Sequence, residues 1–359
     1  MNFKQDTTET YKTQEIKSQI ETRQLGSKQD HAAHGSYVNG FTKTYWAAAF
    51  DGHGKPTAIE EIRKLNLTDI MKEPRPWTTI QTVLDRAQES REHIIKSGST
   101  MVYAKIHLYP DETEVQIVNI GDSKAIVFIN DEPIFITTSH SYENGKEIAR
   151  LVQEGRVDPN QVFIDKDFDF EVISKTTLKS KTGTYVYFNT PLGKQELAMT
   201  QCLGHNGYTG LKPNITTIRC NTTDRIRVVL CSDGVTDIVP VNGLDSHDTF
   251  SFMTDTTTTL IDEAERRWKQ QWLVQENKGQ WKLQCEVQDN TDLRKISKTK
   301  FPKNGYDDCC CAILAVQPNP EPKPTLAADP KPTLAADPEQ NLEPNLEPTL
   351  DPKPKSEEE

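Results

Sequence analysis

Three stretches of the chain end in aspartate directly after an apolar run: Phe50-Asp51-Gly52-His53-Gly54, Leu230-Cys231-Ser232-Asp233-Gly234, and Tyr306-Asp307-Asp308, the last leading into another apolar run. Apolar runs of this kind read as buried strands, and carboxylates gathered at strand ends repel one another unless hard cations lie between them. The pattern points to a divalent-metal site, and so to an enzyme first. His53, two residues after Asp51, adds a group able to carry a proton near neutral pH.

The elements that must hold these residues follow from periodicity. Residues 114–120 alternate as a half-buried strand and 125–129 resume after Gly121-Asp122-Ser123, which predicts a hairpin. Residues 225–231 and 310–316 are denser apolar runs, suited to central strands covered on both faces. Helical spacing appears at Ile148, Leu151 and Val152 within 147–154, and at Ile261, Ala264 and Trp268 within 260–272. A further short helix is expected over about 57–65, with Ile59, Ile62 and Leu65 facing inward. Strand-rich blocks with helices between them predict an α+β layered fold.

Composition bounds the rest. At 359 residues and 35% apolar content, one large catalytic domain plus tails is expected. The formal charge of −11, with no cluster of Lys and Arg, argues against nucleic-acid and anionic-membrane partners. Seven cysteines without zinc-ribbon or secreted spacing read as reduced thiols, and Cys309-Cys310-Cys311 as small hydrophobes, because adjacent strand residues point to opposite faces. The first residues lack the apolar core of a signal peptide, Asn2 does not fit the myristoylation pattern, and no run approaches the ~20 apolar residues of a membrane span. A soluble cytoplasmic or nuclear chain is expected. From Gln317 onward Pro, Glu and Asp dominate, and Lys-Pro-Thr-Leu-Ala-Ala-Asp-Pro occurs at 323–330 and again at 331–338. The expected organisation is a flexible extension over 1–20, a catalytic domain over 21–316 and a disordered acidic tail over 317–359.

Taken in order, Asp51-Gly52-His53-Gly54, Ser97-Gly98-Ser99-Thr100, Asn119-Ile120-Gly121-Asp122-Ser123-Lys124-Ala125, Thr200-Gln201-Cys202-Leu203-Gly204, Cys231-Ser232-Asp233-Gly234-Val235-Thr236-Asp237 and Asp307-Asp308 resemble the motifs of the protein phosphatase 2C family. The resemblance implies a central antiparallel β-sandwich flanked by helices on both faces, in α/β/β/α layers, with two Mg²⁺ or Mn²⁺ ions in a cleft at one edge. It implies a serine/threonine phosphatase in which a hydroxide bridging the two ions attacks the phosphate ester. On the matching positions Asp51 would bridge both ions, the Gly52 carbonyl would complete one shell, and Asp233 and Asp307 would bind the other ion. Asp30 matches an early acidic position that orients metal-bound water, while Asp122 and Asp237 match those of a third, more labile ion. His53 would act as general acid, for which an ordinary pKa of about 6.5 is suited. Mg²⁺ and Mn²⁺ stay open, since both accept hard oxygen ligands.

The chain departs from the pattern in several places. Leu25 and Gly26 fall near the position of the family's phosphate-gripping arginine, which leaves Arg23 and Lys28 as candidate phosphate-binding residues. Thr200-Gln201-Cys202-Leu203-Gly204-His205 replaces the family's Ser-Arg-Ala-Leu-Gly-Asp, a loss assigned to the scaffold. Residues 242–304 are enlarged, and Trp268, Trp272 and Trp281 there offer either a protein-partner surface or a helix and hairpin packed on the domain. Residues 163–194 fall where the family has a mobile flap beside the cleft. The implied partner is a phosphoprotein substrate, and a monomer is expected. The alternative is a pseudophosphatase, a regulatory binding module on the same fold, against which the retention of Asp51, Asp233 and Asp307 weighs.

Overall fold

The computed structural model describes residues 2–11, 14–89, 96–190, 193–241, 247–275 and 296–318. Its alternating and apolar segments form three sheets. The first has the strand order β1 (Phe3–Tyr11), β2 (Gln14–Arg23), β18 (Cys309–Pro318), β15 (Ile226–Cys231), β8 (Lys124–Ile129) and β9 (Glu132–Ile136). In the second, β13 (Leu203–Gly204), β5 (Ser97–Ser99), β4 (Thr42–Gly54), β6 (Met101–Leu108), β7 (Glu112–Ile120) and β14 (Asn214–Asn221) follow in order, and β3 (Asp30–Asn39) pairs with β4. The third comprises β10 (Phe163–Ser174), β11 (Thr177–Thr190), β16 (Trp272–Gln275) and β17 (Ile296–Thr299), with β12 (Gly193–Leu197) on β11. The β11–β16 contact is parallel; the first two sheets are antiparallel throughout. The helices are α1 (Thr57–Ile62), α2 (Leu67–Ile70), α3 (Pro76–Glu89), α4 (Gly145–Gln153), α5 (Asp233–Thr236), α6 (His247–Thr254) and α7 (Thr257–Lys269).

The period of two along each strand sorts side chains into separate clusters. Val228, Leu230, Cys310, Ala312 and Leu314 of the first sheet share one cluster with Ala47, Ala49, Val102, Ala104 and Val115 of the second. Their neighbours Val229, Cys231, Cys309, Cys311 and Ile313 face the other way, onto Ile261, Ala264 and Trp268 of α7. Trp46, Ala48 and Phe50 of β4 pack on Ile59, Ile62, Leu67 and Ile80 of α1, α2 and α3. Strands β15 and β18 are therefore apolar on both faces and central, and the triple cysteine divides between two cores as buried free thiols.

Several expectations need correction. Residues 114–120 and 125–129 do not form a hairpin: β7 pairs with β6 and β14, whereas β8 pairs with β15 and β9. Gly121, at φ 102°, makes the turn that carries the chain from one sheet to the other. Alternation marks a strand but carries no information about its partner. Residues 3–11 and 14–20 are not a loose extension, since β1 pairs along β2, β2 pairs along β18, and Ile16 and Ile20 lie in the core at 1% and 2% exposure. The polar outward face of β2 hid this strand. At the other end β18 runs through Pro318, opposite Gln14, so the break placed at 317 falls too early; the repeats lie outside the described residues.

Of the two readings of the tryptophan segment, that of a helix and paired strands packed on the domain holds, with the helix ending earlier than expected. Helix α7 ends at Lys269 and Trp272 opens β16. Trp268 and Trp272 are 4% and 0% exposed in the core beneath the first sheet, so they offer no partner surface; Trp281 lies outside the described residues. Residues 163–190 are the long β10–β11 hairpin. Among the described residues no helix is long and apolar enough to cross a membrane.

Candidate active site

The antiparallel pairing of β3 with β4 sets Asp30 opposite Asp51. At Asp51, β4 leaves β6, its partner through Ala49, and takes up β5 from Gly52 onward. Strand β15 ends at Cys231, extended Ser232 turns the chain, and Asp233 and Asp237 follow one helical turn apart, with Asp237 N–H donating to Asp233 O at 2.7 Å. Because β15 runs antiparallel to β18 with Cys231 opposite Cys311, the end of one strand meets the start of the other, where Asp307 lies. Gly234 makes this approach possible: a Cβ there would sit 1.8 Å from the Asp308 carbonyl oxygen. Asp122 enters from the crossover after β7.

Six aspartates thus converge, and Asp233 acts on each of the others. Burial, and then chiefly Asp233, holds Asp51 and Asp307 well above the ordinary carboxylate range. Enclosure by protein, then Asp233, does the same to Asp237 and pushes Asp122 up to about 7. Asp30 rises to about 8 through burial and the charges of Asp308 and Asp233, against the opposing hydrogen bond from Ser232 Oγ at 2.7 Å. Lys124 offsets part of the charge at Asp122 and Asp237. Asp122 Oδ1 and Asp233 Oδ1 are buried with no hydrogen-bond donor. A set of buried oxygen donors in excess over cations, some without protons to accept, fits hard divalent ions. Gly52 belongs to the same wall: its N–H donates to Gln29 O at 3.0 Å, and a Cβ on it would lie 2.7 Å from that oxygen.

A family model described as protein phosphatase 2C matches residues 27–244. The chain belongs to the protein phosphatase 2C family. Among curated proteins, "Probable protein phosphatase 2C 44" of Oryza sativa subsp. japonica is 28% identical over 116 residues, 30% of this chain and 35% of that relative, so the match spans about a third of the relative's length. Among solved structures, the serine-threonine phosphatase 2C from Toxoplasma gondii superposes with a TM-score of 0.52 at 12% identity, covering 88% of this chain and 99% of that one, and so shares its fold. The catalytic domain of the serine/threonine protein phosphatase PstP, solved in complex with 2 manganese ions, is 16% identical, with a TM-score of 0.42 over 85% of this chain and 100% of that one.

Within this protein phosphatase 2C chain the two basic candidates part company. Arg23 turns toward α7 and is held by Glu21 at 2.8 Å, Asp262 at 2.9 Å and Glu265, which raises its already high pKa further despite the cost of burial. Its guanidinium is thus engaged by three carboxylates. Lys28 is exposed, in a left-handed turn at φ 65°, two residues before Asp30. That turn is built by Asp308, whose carboxylate accepts from Gly26 N–H at 2.7 Å, Ser27 Oγ–H at 2.9 Å and Gln29 N–H at 2.8 Å.

His53 differs from its expected state. Its ring stacks on His205 at 5.0 Å, and burial followed by the His205 charge pushes its pKa down to about 3, so the imidazole is neutral at pH 7. A cavity of about 500 Å³ beside it is lined also by Lys96, Tyr185, Lys194, Met199 and Tyr208, which puts β11 and β12 next to the cleft. Sequence reading passed over Ser232, Asp308 and Lys124. Each lies within two residues of a singled-out aspartate in its own motif, and that proximity was the available signal. The substituted Thr200-Gln201 pair serves the scaffold, with both side chains bonded to Glu147, the ion partner of Arg150 on α4.

Proposed function

We propose that the chain is a divalent-metal-dependent phosphatase acting on phosphoserine and phosphothreonine in proteins, through a catalytic domain that begins at β1. The observation that carries this reading is the convergence of six aspartates, five of them gathered around Asp233, a charge density without purpose in the absence of cations. The clusters shared between and outside the two large sheets support the α/β/β/α sandwich on whose edge the family carries its chemistry.

In this reading Asp51 and the Gly52 carbonyl would hold one Mg²⁺ or Mn²⁺ ion, Asp51, Asp233 and Asp307 a second, and Asp122 and Asp237 a third, weaker one. Such ions supply a water nucleophile active near neutral pH and neutralise phosphoryl charge. The chain's own residues do the rest. Asp30, fixed by the hydrogen bond from Ser232, would orient water in the cleft once cations displace its proton. Lys28 attracts the phosphate as a point charge rather than a planar fork. His53, neutral in the free chain, would serve as proton donor to the leaving oxygen once a bound phosphate dianion beside it favours its charged form.

The second reading, a regulatory module, is favoured by one observation, the capture of Arg23 by carboxylates. Turnover of a phosphothreonine peptide with and without Mn²⁺ separates the two. Metal-dependent release of phosphate, lost in Asp233→Ala with the fold retained, supports the enzyme; a folded chain without turnover in any divalent metal supports the module.

A further inference from the structure

Strand β5 lies between β4 and β13, with Gly98 opposite His53 on one side and Gly204 on the other. This pairing draws the two flanking segments together. His53, Cys202 and His205 each bring a donor atom to one place, all within 4.8 Å of one another. Both imidazoles converge over Gly98: a Cβ there would lie 2.4 Å from His205 Nε2 and 2.7 Å from His53 Nε2. Tyr208 Oη lies 3.2 Å from His205 Nδ1, which fixes that ring with its other nitrogen toward His53. Both ring nitrogens of His53 are buried without a hydrogen-bond partner. The Cys202 sulfur is fully buried, with only a long contact of 3.9 Å to Thr209 Oγ1. His205 and Asn206 are both held at positive φ, 47° and 49°, a backbone form that side chains other than glycine adopt at a cost.

We propose that His53, Cys202 and His205 form a site for one thiophilic divalent cation of the zinc class, and that its occupation withdraws His53 from the reaction. Two imidazoles and a thiolate make a borderline-soft donor set, opposite in character to the neighbouring aspartates and suited to Zn²⁺ over Mg²⁺. Zinc ligands sit at about 2.0–2.3 Å from the ion, so the donors must close by about an ångström, within reach of side-chain rotation. On binding, the thiol proton passes to solvent and sulfur takes the metal in its place. His53 and His205 both line the cavity beside the cleft, which leaves the fourth zinc position open to it. The inhibitory half of the proposal rests on His53 being the proton donor of the proposed phosphatase; the site itself does not.

Cobalt is the probe, because a thiolate ligand gives it a near-ultraviolet charge-transfer band and four-coordination gives strong visible bands. Full-length chain stripped with chelator is titrated with Co²⁺ alone. One equivalent is expected to develop both features. Cys202→Ser should lose the thiolate band, His205→Asn should weaken binding by about tenfold or more, and Asp51→Asn should keep the band. Absence of the band from the wild-type chain, or its persistence in Cys202→Ser, overturns the site whatever else the variants do. In a second arm, Zn²⁺ is added to enzyme turning over phosphothreonine peptide in excess Mn²⁺. The wild-type rate should fall by about tenfold or more, while Cys202→Ser should hold its own zinc-free rate. Equal inhibition of both overturns the regulatory half. If His53→Gln retains wild-type turnover, the proton-donor reading fails, and the cobalt titration still decides the site.

Discussion

Asp233 is the charge that acts on each of the five other carboxylates, so its removal should unmake the centre rather than weaken it. Asp233→Asn, which keeps the shape and loses the charge, is expected to lower Mn²⁺-dependent turnover by more than about 100-fold with an unchanged circular dichroism spectrum. Loss of less than tenfold would show that the centre lies elsewhere. Arg23 gives the contrasting case. Its three carboxylate partners include Glu21, whose side chain is 5% exposed. Arg23→Ala should therefore leave KM for a phosphopeptide within about threefold but cost about 1–3 kcal/mol in urea unfolding, because it strands a buried charge. Lys28→Ala should do the reverse, raising KM by about tenfold with stability nearly unchanged, as befits an exposed point charge.

At the scale of elements, the site depends on strands remote in sequence. The β1–β2 hairpin covers the edge of β18, the strand that starts just after Asp307, and β2 contributes Ile16 and Ile20 to the core between the sheets. Deleting residues 2–20 exposes that edge and removes these side chains. The truncated chain is expected to aggregate or to unfold without a cooperative transition, as judged by gel filtration and thermal melting; a soluble monomer with a sharp melt would show that the hairpin is dispensable. The turn before Asp30 depends in the same way on Asp308, which anchors three donors there.

For the molecule as a whole, the aspartate cluster couples stability to pH and metal. The carboxyls of Asp30 and Asp122, raised to about 8 and about 7 from an ordinary 3.8, hold protons in the folded chain that the unfolded chain has lost. The metal-free fold therefore loses stability as pH rises from about 4 toward 8. Divalent ions substitute for those protons, so millimolar Mn²⁺ should raise Tm more at pH 8 than at pH 5. A shift that is equal at both, or larger at pH 5, would mean that the ion binds groups other than these.

Family membership, the strand-end aspartates and the central placement of β15 and β18 were legible because they rest on residue types in a local order and on two-faced apolar runs. The sequence alone also carried the division of Cys309, Cys310 and Cys311 between faces, which follows from the strand period. Tertiary structure decided what local order cannot express. It set β7 and β8 in different sheets, buried Trp268 and Trp272, and drew Arg23 to Glu265 across 242 positions of chain. It also lowered the basicity of His53 by burying it and then by packing it against His205, a neighbour brought there through β5. The difference is physical: strand period and motif are properties of consecutive residues, whereas burial, ion partners and proton affinity depend on which distant segments the fold lays alongside.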